Sequence, residues 1–491
     1  MRLLVLTLLL AAAPLQAQPA PPDTEELERE LKRLVEVFTL ASDNAADPQS
    51  ADRLIYAGAI PGMLARLDPH SVFFDKDQFE QLQQMETSTV KGFGSIVSVL
   101  PGRVIILQVQ PGAPAERNGL APGDEIVAIN GIGLAGLEID QLIQLLGMAR
   151  QQTVLLQLRR QGTAGLTTLT MTPAEMQSPS VDRIFMPRPG IGHIRANSFG
   201  MGTGKEIREA IEKLGGNKLN GLVLDLRGNP GGVLDAALET AALFLPSGTR
   251  LISARGRGKG TKDLDVPPGN TPYNFKLAVL IDAKSASGSE IVAGAIQDND
   301  RGTILGESSF GKGLVQSVYP LRDSTGLALT TAFYYTPSGR SIQRPLHDVA
   351  LTSETPSGRP EFKTKAGRTV RGGGGIEPDE TVIPPRISRL QAVLESSASF
   401  HSFASEWLKT NKGAAKREME ITPQMLDDFQ LFLSRRNIRP SMSEWTAERA
   451  FVVSRVKQEI LNLALGVAAG DVLEALRDPV VLRALAGLEQ L

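Results

Sequence analysis

The chain has 491 residues, no cysteine and a formal net charge of −2 at pH 7, with 42% hydrophobic and 22% charged residues. This nearly neutral charge gives no electrostatic reason to expect nucleic acid or an anionic membrane as a partner, and the lack of cysteine excludes disulfides and thiol chemistry. At about 150 residues per domain, the length predicts three or four domains.

The chain begins with MRLLVLTLLLAAAPLQAQPAPP, which has one basic residue, an apolar run and small residues ahead of a proline-rich stretch. This pattern is typical of a secretory signal peptide, here residues 1–17, with cleavage after Ala17. A transmembrane anchor is the alternative, but the apolar run from Leu3 to Ala13 is shorter than the roughly 20 residues that span a bilayer. We therefore expect export to a bacterial periplasm or to the cell exterior.

Residues 18–87 are predicted to be helical. Apolar side chains recur at helical spacing in two places, and the second of them, Ile55–Leu67, ends at Asp68-Pro69-His70-Ser71. We interpret residues 68–71 as a structural segment that leads into the next domain, and His70 as non-catalytic. The first apolar row consists of Leu27, Leu31, Leu34 and Phe38.

Residues 88–174 change to short β-branched strands separated by glycine and proline turns. The stretch Gly119–Gly131, GLAPGDEIVAING, resembles the core motif of a PDZ domain. Such a domain binds a peptide C-terminus as an added strand and cradles its carboxylate with backbone amides. The resemblance assigns that cradle to Gly92, Phe93, Gly94 and Ser95; a β-rich spacer without a ligand is the alternative.

In residues 175–386, strands alternate with helices, which predicts a mostly parallel sheet with helices on its faces and a site beyond the strand C-termini. The apolar strand Asn220–Arg227 leads into Gly228-Asn229-Pro230-Gly231-Gly232 and then into a helix, Leu234–Phe244. Glycine-rich turns before a helix accept anions. His193 alternates with apolar neighbours in a strand, so we interpret it as structural.

A second corner of the same kind carries a serine. The apolar run Leu277–Ile281 predicts a buried strand, and Glu290–Ile296 has helical spacing, so Ser287 lies where a strand passes into a helix. Unpaired amides and the helix dipole at such a point favour the anion that acyl transfer to serine generates.

A serine nucleophile needs a base, and none of the four histidines stands in a recognisable triad motif. Lys312 lies between two glycines and opens the strand-like run Leu314–Leu321, where Gln316 would share its face. A free lysine titrates near pH ~10.4, so a basic Lys312 must lose roughly three pKa units, which burial can supply.

These motifs resemble those of the C-terminal processing peptidases, also called tail-specific proteases. The matching stretches are SASGSE at 285–290, QD at 297–298, GESSFGKG at 306–313, VQ at 315–316 and LRGNPGG at 226–232. The resemblance makes Ser287 the nucleophile, Lys312 the general base and Gln316 its partner. It assigns the oxyanion hole to the amides of Gly288 and of Gly231 or Gly232, makes Asp298 a supporting residue, and requires no metal or organic cofactor. Gly288 replaces the family's usual alanine, a change that we expect to be tolerated because only its backbone amide is used.

Residues 387–491 return to helical periodicity, with Thr422-Pro423 as a helix start. This tail exceeds what a catalytic core needs, so helical extensions at both ends predict an assembly surface and a homodimer. The polar, glycine-rich residues 344–373 are predicted to form a mobile loop.

The predicted fold is therefore multidomain α/β, with an α/β protease core, an inserted β-rich PDZ domain and helical N- and C-terminal extensions. The predicted function is that of an exported serine endopeptidase whose PDZ domain binds the exposed C-termini of protein or peptide substrates, with an adaptor protein left open as a further partner. One alternative is a catalytically inert PDZ scaffold. Another is a nucleotide hydrolase, because Gly306–Lys312 fits part of a phosphate loop, although Gly313 stands where Ser or Thr would bind Mg²⁺.

Overall fold

The computed structural model describes residues 24–490 except 88, 101, 161–162, 258–259, 348–349, 352–357 and 412, so the predicted signal peptide lies outside the described residues. The chain divides into two compact units between Leu67 and Asp68. In the part of the chain that the structure describes, no helix is both long and apolar enough to cross a membrane.

The first unit is helical, as predicted. Its longest helix, α1, has an apolar row but no buried residue, and Leu27, Leu31 and Leu34 are 47–55% exposed. The helices are α1 (Thr24–Asn44), α2 (Ala51–Leu54) and α3 (Ile60–Leu64), and a π-helical stretch, Ile55–Ala59, joins the last two.

The second unit opens with a short strand and a helix and continues into the β-rich domain. This domain is a sheet of strand order β3-β4-β5-β7-β8, with β3 at its edge and β6 paired to β5, closed over α6 by a core that includes Val104, Ile106, Leu142 and Leu158. The elements are β1 (Val72–Phe74), α4 (Lys76–Glu86), β2 (Thr89–Gly92), β3 (Ser95–Leu100), β4 (Arg103–Val109), α5 (Pro114–Arg117), β5 (Glu125–Ile129), β6 (Ile132–Gly133), α6 (Ile139–Ala149), β7 (Val154–Arg159), β8 (Leu166–Met171) and β9 (Ala174–Gln177), and β2 pairs with β9.

The region predicted to be the protease core is built on a six-stranded sheet of order β10-β11-β12-β15-β16-β23. Only the β10–β11 pair is antiparallel, which confirms the mostly parallel sheet. The elements are β10 (Val181–Arg188), β11 (Ile191–Ala196), α7 (Thr203–Leu214), β12 (Gly221–Asp225), α8 (Leu234–Ala242), β13 (Arg250–Gly256), β14 (Gly260–Asp265), β15 (Lys276–Ile281), α9 (Gly288–Asp298), β16 (Thr303–Gly306), β17 (Leu314–Pro320), β18 (Gly326–Tyr335), β19 (Leu346–His347), β20 (Ala350–Leu351), β21 (Glu361–Lys363), β22 (Thr369–Arg371) and β23 (Glu380–Thr381), with 3₁₀ turns at Gly216–Lys218 and Arg322–Ser324.

A second sheet was not foreseen from the sequence. It is antiparallel, with the order β1-β18-β13-β14 and β17 added against β18. Strand β1, which the sequence interpretation placed in the N-terminal helical region, pairs with β18 of this second sheet. The β-rich domain is therefore inserted between two parts of one sheet.

The C-terminal region is helical, as predicted, but it does more than extend the core. Helix α15 lays Val480, Val481, Leu485 and Leu488 on the parallel sheet, against residues such as Val223. The helices are α10 (Arg389–Ser396), α11 (Ser399–Thr410), α12 (Pro423–Arg435), α13 (Met442–Leu465), α14 (Ala468–Ala475) and α15 (Pro479–Glu489). The expectation that this tail exceeds the needs of the core is wrong for α15, because the sheet's second face is buried under it.

One local expectation is corrected, and one alternative function loses support. The stretch 344–373, predicted as a mobile loop, contains the paired strands β21 and β22. The loop Gly306–Gly313 is followed by strand β17 and not by a helix, so the nucleotide hydrolase interpretation lacks the strand-to-helix context of a phosphate loop.

Candidate active site

Ser287 occupies the strained turn that joins β15 to α9. Its backbone has φ 52° and ψ −109°, a conformation that costs a non-glycine residue free energy. The turn before it is held by Asp282, whose Oδ1 accepts hydrogen bonds from the amides of Lys284, Ser285 and Gly228 at 3.0 Å each. A strained strand-to-helix turn of this kind exposes a serine hydroxyl at the end of a sheet.

The glycine corner after β12 lies directly against this serine. A Cβ added at Gly231 would come within 2.8 Å of Ser287 Cβ and 2.9 Å of the Gly288 nitrogen, and both Gly231 (φ 98°) and Gly232 (φ 147°) have positive φ. The close approach and the backbone conformation together explain why glycine is needed here.

The two glycines of this corner differ in what their amides do. The Gly231 amide donates to Asn229 Oδ1 at 2.8 Å, so it is already engaged. Among the described residues, neither the Gly232 amide nor the Gly288 amide donates to a protein group. The candidate oxyanion donors are therefore the amides of Gly288 and Gly232. Of the two glycines that the sequence left open, Gly232 is the one with a free amide.

Glycine at position 288 also has a packing reason. A Cβ there would lie 3.1 Å from Phe199 Cδ2 and 3.2 Å from Ala237 Cβ. The Phe199 ring thus occupies part of the space that the family's usual alanine methyl would take, while the amide is unaffected.

Lys312 precedes β17 in a glycine-flanked loop, and its amine contacts Gln316. Lys312 Nζ donates to Gln316 Oε1 at 2.5 Å, and Gln316 Nε2 donates to the carbonyl of His70 at 2.7 Å. Burial lowers the pKa of Lys312 below its ordinary value, although the negative charges of Glu290 and Asp68 oppose this shift. A lysine with a lowered pKa is available as a neutral base.

The glycines on both sides of Lys312 leave room for the side chains of neighbouring residues to pack against the loop. A Cβ at Gly311 (φ 91°) would collide with Arg344, whose guanidinium donates to the carbonyl of Ser309 at 2.9 Å. On the other side, the Gly313 amide donates to Gln343 Oε1 at 2.9 Å. The side chains of residues 343 and 344 therefore fix the position of the lysine loop.

A fully buried carboxylate joins the serine turn to the lysine loop. Glu290 accepts hydrogen bonds from the amides of Ser287 (2.8 Å), Gly311 (2.7 Å) and Lys312 (2.9 Å), and from Ser309 Oγ (2.6 Å). Burial raises the pKa of Glu290, although these four donors act in the opposite direction. Sequence reasoning did not assign Glu290 a role, but its place three residues after a serine helix cap was the available signal.

Tyr334 of β18 makes a second connection between the same two segments. Its buried hydroxyl lies 3.1 Å from the carbonyl oxygen of Lys312 and 3.3 Å from that of Ser287. Burial raises the pKa of this phenol well above its usual value, so it stays a neutral donor. Ser287 and Lys312 are thus held by shared partners, and no direct hydrogen bond joins their side chains among the described contacts.

Asp298, the predicted supporting residue, lies at the far end of α9. Its buried carboxylate accepts from Arg340 Nη2 at 2.7 Å and from the Ser338 amide at 3.0 Å. These contacts tie α9 to the turn after β18, away from the reacting groups.

The histidines occupy distinct places. His193 is buried, stacks on Phe185 at 4.6 Å between ring centroids, and lies 3.6 Å from Asp225, outside the site. His401 contacts Glu459 in the C-terminal helices at 2.9 Å. His70 is different, because its backbone contacts Gln316, a neighbour that the sequence interpretation did not foresee.

The β-rich domain holds a groove of ≈ 250 Å³ beside its edge strand β3. Gly92, Phe93, Gly94 and Ser95 line it together with apolar side chains such as Leu146 of α6. The carbonyls of Phe93 and Gly94 accept from Ala115 and Gln110, while their amides donate to no group in the described part of the chain. Such free amides suit a carboxylate, and the apolar groove suits a nonpolar side chain.

Comparison with known proteins identifies both modules. The sequence model of peptidase family S41 matches residues 190–350, and that of the PDZ domain matches residues 105–160. The carboxyl-terminal-processing protease of Synechocystis sp. is 35% identical over 292 residues, which are 58% of this chain and 68% of that protein. The chain belongs to the carboxyl-terminal-processing proteases.

Other carboxyl-terminal-processing proteases match a larger share of the chain. CtpB of Bacillus subtilis is 30% identical over 337 residues, which are 68% of this chain and 69% of that protein. A solved structure of a photosystem II D1 C-terminal processing protease is 27% identical, covers 72% of this chain and 86% of its own, and has a TM-score of 0.38. The two family matches and the two curated relatives show a serine-type peptidase with a PDZ domain.

Proposed function

We propose that this protein is an exported endopeptidase that cleaves near the C-termini of its protein substrates by a Ser–Lys mechanism. The observation that carries the proposal is the bond from Lys312 to Gln316 in a buried site that shares Glu290 and Tyr334 with the turn of Ser287. This arrangement provides an amine with a lowered pKa, a half-buried nucleophile in a strained turn and free amides in one place.

In the proposed reaction, the PDZ groove holds the substrate's terminal carboxylate and an upstream peptide bond lies over Ser287. Lys312 takes the hydroxyl proton as Ser287 Oγ bonds to the carbonyl carbon, and the amides of Gly288 and Gly232 stabilise the oxyanion. Lys312 then gives the proton to the leaving amine, and water hydrolyses the acyl-enzyme by the same steps.

The inert scaffold is the competing function, and one experiment separates the two. A peptide with an apolar C-terminal tail is incubated with the wild type and with Ser287→Ala, and cleavage is followed by mass spectrometry while binding is followed by fluorescence anisotropy. The proposal expects Ser287→Ala to bind with unchanged affinity and to cleave nothing. Cleavage by the variant would refute Ser287 as the nucleophile, and no cleavage by the wild type would favour the scaffold.

Export and assembly are further parts of the proposal. The apolar run and small residues of the first 17 positions support export, which N-terminal sequencing of the mature protein tests by a start at Gln18. The exposed apolar row of α1 supports a homodimer through the terminal helices, because solvent-exposed apolar rows of this length favour association. A monomeric mass in light scattering would rule that out.

A further inference from the structure

The segment that precedes β1 is fixed against the protease body. Asp68 Oδ1 accepts from the amides of His70 (2.7 Å) and Ser71 (2.8 Å), and its Oδ2 accepts from Ser71 Oγ (2.6 Å). Ser71 Oγ in turn accepts from the amide of Thr330 in β18 at 3.2 Å. The backbone of residue 70 therefore has one position relative to the second sheet.

That position brings His70 to the partner of the lysine base. The His70 carbonyl accepts from Gln316 Nε2 at 2.7 Å, and the other end of the same amide accepts from Lys312. The imidazole Nε2 of His70 is buried and has no hydrogen-bond partner in the described part of the chain. A buried polar atom without a partner beside a reacting group calls for a functional explanation.

In the part of the chain that the structure describes, few charged groups act on His70 and Lys312. Lys312 and Asp68 are the charges that act on His70, and Glu290 and Asp68 are those that act on Lys312. Burial and then the charge of Lys312 lower the pKa of His70, while Asp68 opposes them. The imidazole is accordingly neutral at neutral pH, and a neutral imidazole has one nitrogen that accepts.

Counting donors on Lys312 shows where that acceptor is needed. The neutral amine has two N–H groups and one lone pair, and the ammonium has three N–H groups. Gln316 accepts one N–H, and the lone pair receives the proton of Ser287, so another N–H lacks an acceptor. We propose that His70 is a positioning residue whose neutral imidazole accepts this N–H through Nε2 across one bridging water.

This role rests on the proposed Ser–Lys function and deepens it. The acceptor stabilises the ammonium that forms as Ser287 is deprotonated, and it requires the tautomer with the proton on Nδ1. Protonation of His70 converts Nε2 into a donor and places a positive charge beside Lys312. The positive charge on His70 then disfavours protonation of Lys312, which is the step in which Lys312 takes the proton of Ser287.

Two substitutions separate this role from a structural one, since both keep the backbone carbonyl that binds Gln316. His70→Gln retains an uncharged acceptor, and His70→Leu has none. We expect kcat to fall about 10- to 100-fold in His70→Leu with KM nearly unchanged, and to fall by only a few-fold in His70→Gln. Equal losses in both variants, or a loss in KM alone, would overturn the role.

The pH dependence gives a readout that a structural role does not move. In the wild type, the acid limb of log kcat/KM should become steeper than one below the pKa of His70, because both bases then lose function. In His70→Gln the slope should stay at one. A wild-type slope of one throughout the acid range would contradict the proposal.

A third measurement needs no catalysis. In ¹⁵N-histidine-labelled Ser287→Ala protein, the His70 signal, assigned by its loss in His70→Gln, should titrate below about pH 6.5. In the Ser287→Ala/Lys312→Met double variant its pKa should rise, because the neighbouring cation is gone. If the pKa of His70 were the same in the two variants, the inference would be wrong. Cleavage by Ser287→Ala would instead refute the proposed function and would not affect this test.

Discussion

The carboxylate of Glu290 accepts a hydrogen bond from the backbone amide of Lys312 at 2.9 Å, across 22 positions of sequence. The other carboxylate contacts include the amide of Ser287, so the proposed nucleophile and the proposed base share one buried carboxylate. The geometry of the site depends on this carboxylate as much as on the two reacting side chains.

Replacing that carboxylate should therefore damage both stability and activity. Glu290→Gln leaves one oxygen and an NH₂ group facing four donors, so we expect unfolding free energy to fall by about 1.5–3 kcal/mol and kcat to fall with it. Ser309→Ala is the graded control, because it removes one of the four donors and keeps the carboxylate. Denaturant melts and peptide cleavage measure both effects, and a fully active Glu290→Gln would contradict the shared role.

The lowered pKa of Lys312 predicts a pH dependence of stability as well as of rate. Between the folded-state pKa and the ordinary value of 10.5, the unfolded chain binds the extra proton, so the contribution of Lys312 to stability rises with pH across that window. Activity should rise at the acid edge of that window, through the folded-state pKa, because the neutral amine of the folded enzyme appears there.

Lys312→Met should abolish cleavage, and it should also stabilise the protein at neutral pH by an amount that shrinks as pH increases. Lys284→Met, at an exposed lysine of the serine turn, is the matched control and should change neither property. Thermal melts at several pH values test this. If Lys312→Met were less stable than the wild type, burial of the Lys312 amine would not lower the free energy of unfolding.

Gly231 and Gly288, which both lie next to Ser287, should differ in their response to an added methyl group. In Gly231→Ala the methyl would meet Ser287 and Gly288 at 2.8–2.9 Å with φ at 98°, so we expect kcat to fall by about 100-fold or more. In Gly288→Ala the nearest ring atom is 3.1 Å away and the amide remains, so activity should stay within a few-fold. Comparable losses in both would place the oxyanion elsewhere.

The C-terminal helices should matter to the oxyanion corner through Asp478. Its Oδ2 accepts from Arg227 Nη1 at 2.7 Å, and its Oδ1 caps α15 by accepting from the amides of Val480 and Val481. Asp478→Asn keeps a cap but loses the ion pair, whereas Asp478→Ala loses both.

We expect Asp478→Ala to lower the unfolding free energy by about 1 kcal/mol more than Asp478→Asn does, which is the typical contribution of a cap. Both variants should have reduced kcat, since Arg227 directly precedes the glycine corner. Equal stability of the two variants would show that the cap contributes nothing.

The groove of the PDZ domain should control substrate affinity and not the chemical step. Leu146→Arg places a charge in the groove, so KM for a peptide with an apolar C-terminus should rise about tenfold while kcat stays nearly constant. Ile143→Arg, at an exposed position of the same helix, is the matched control. Unchanged KM in Leu146→Arg would remove the groove from substrate binding.

Local patterns predicted the strand-to-helix turn that carries Ser287, which the structure has, and they named Lys312 and Gln316, four residues apart, as side chains that meet, as their hydrogen bond shows. They could not reveal that Glu290 contacts the lysine loop, because helical periodicity does not indicate which loop packs against the first turn of α9. Nor could they show that α15 covers the parallel sheet, since apolar periodicity predicts a buried helix face but not the element that buries it. The contact between the His70 carbonyl and Gln316 was not foreseen for a related reason, because the two residues are remote in sequence.

The hydrogen bond from Gln316 to the His70 carbonyl spans 246 positions, and the PDZ domain lies between its ends. Closing so long a loop is slow, and it requires the intervening domain to be accommodated. A chain released from its N-terminus onward therefore has no complete base until β17 and β18 have joined β1. An isolated piece covering residues 175–386 would carry Ser287 and Lys312 and still lack part of the wall around them.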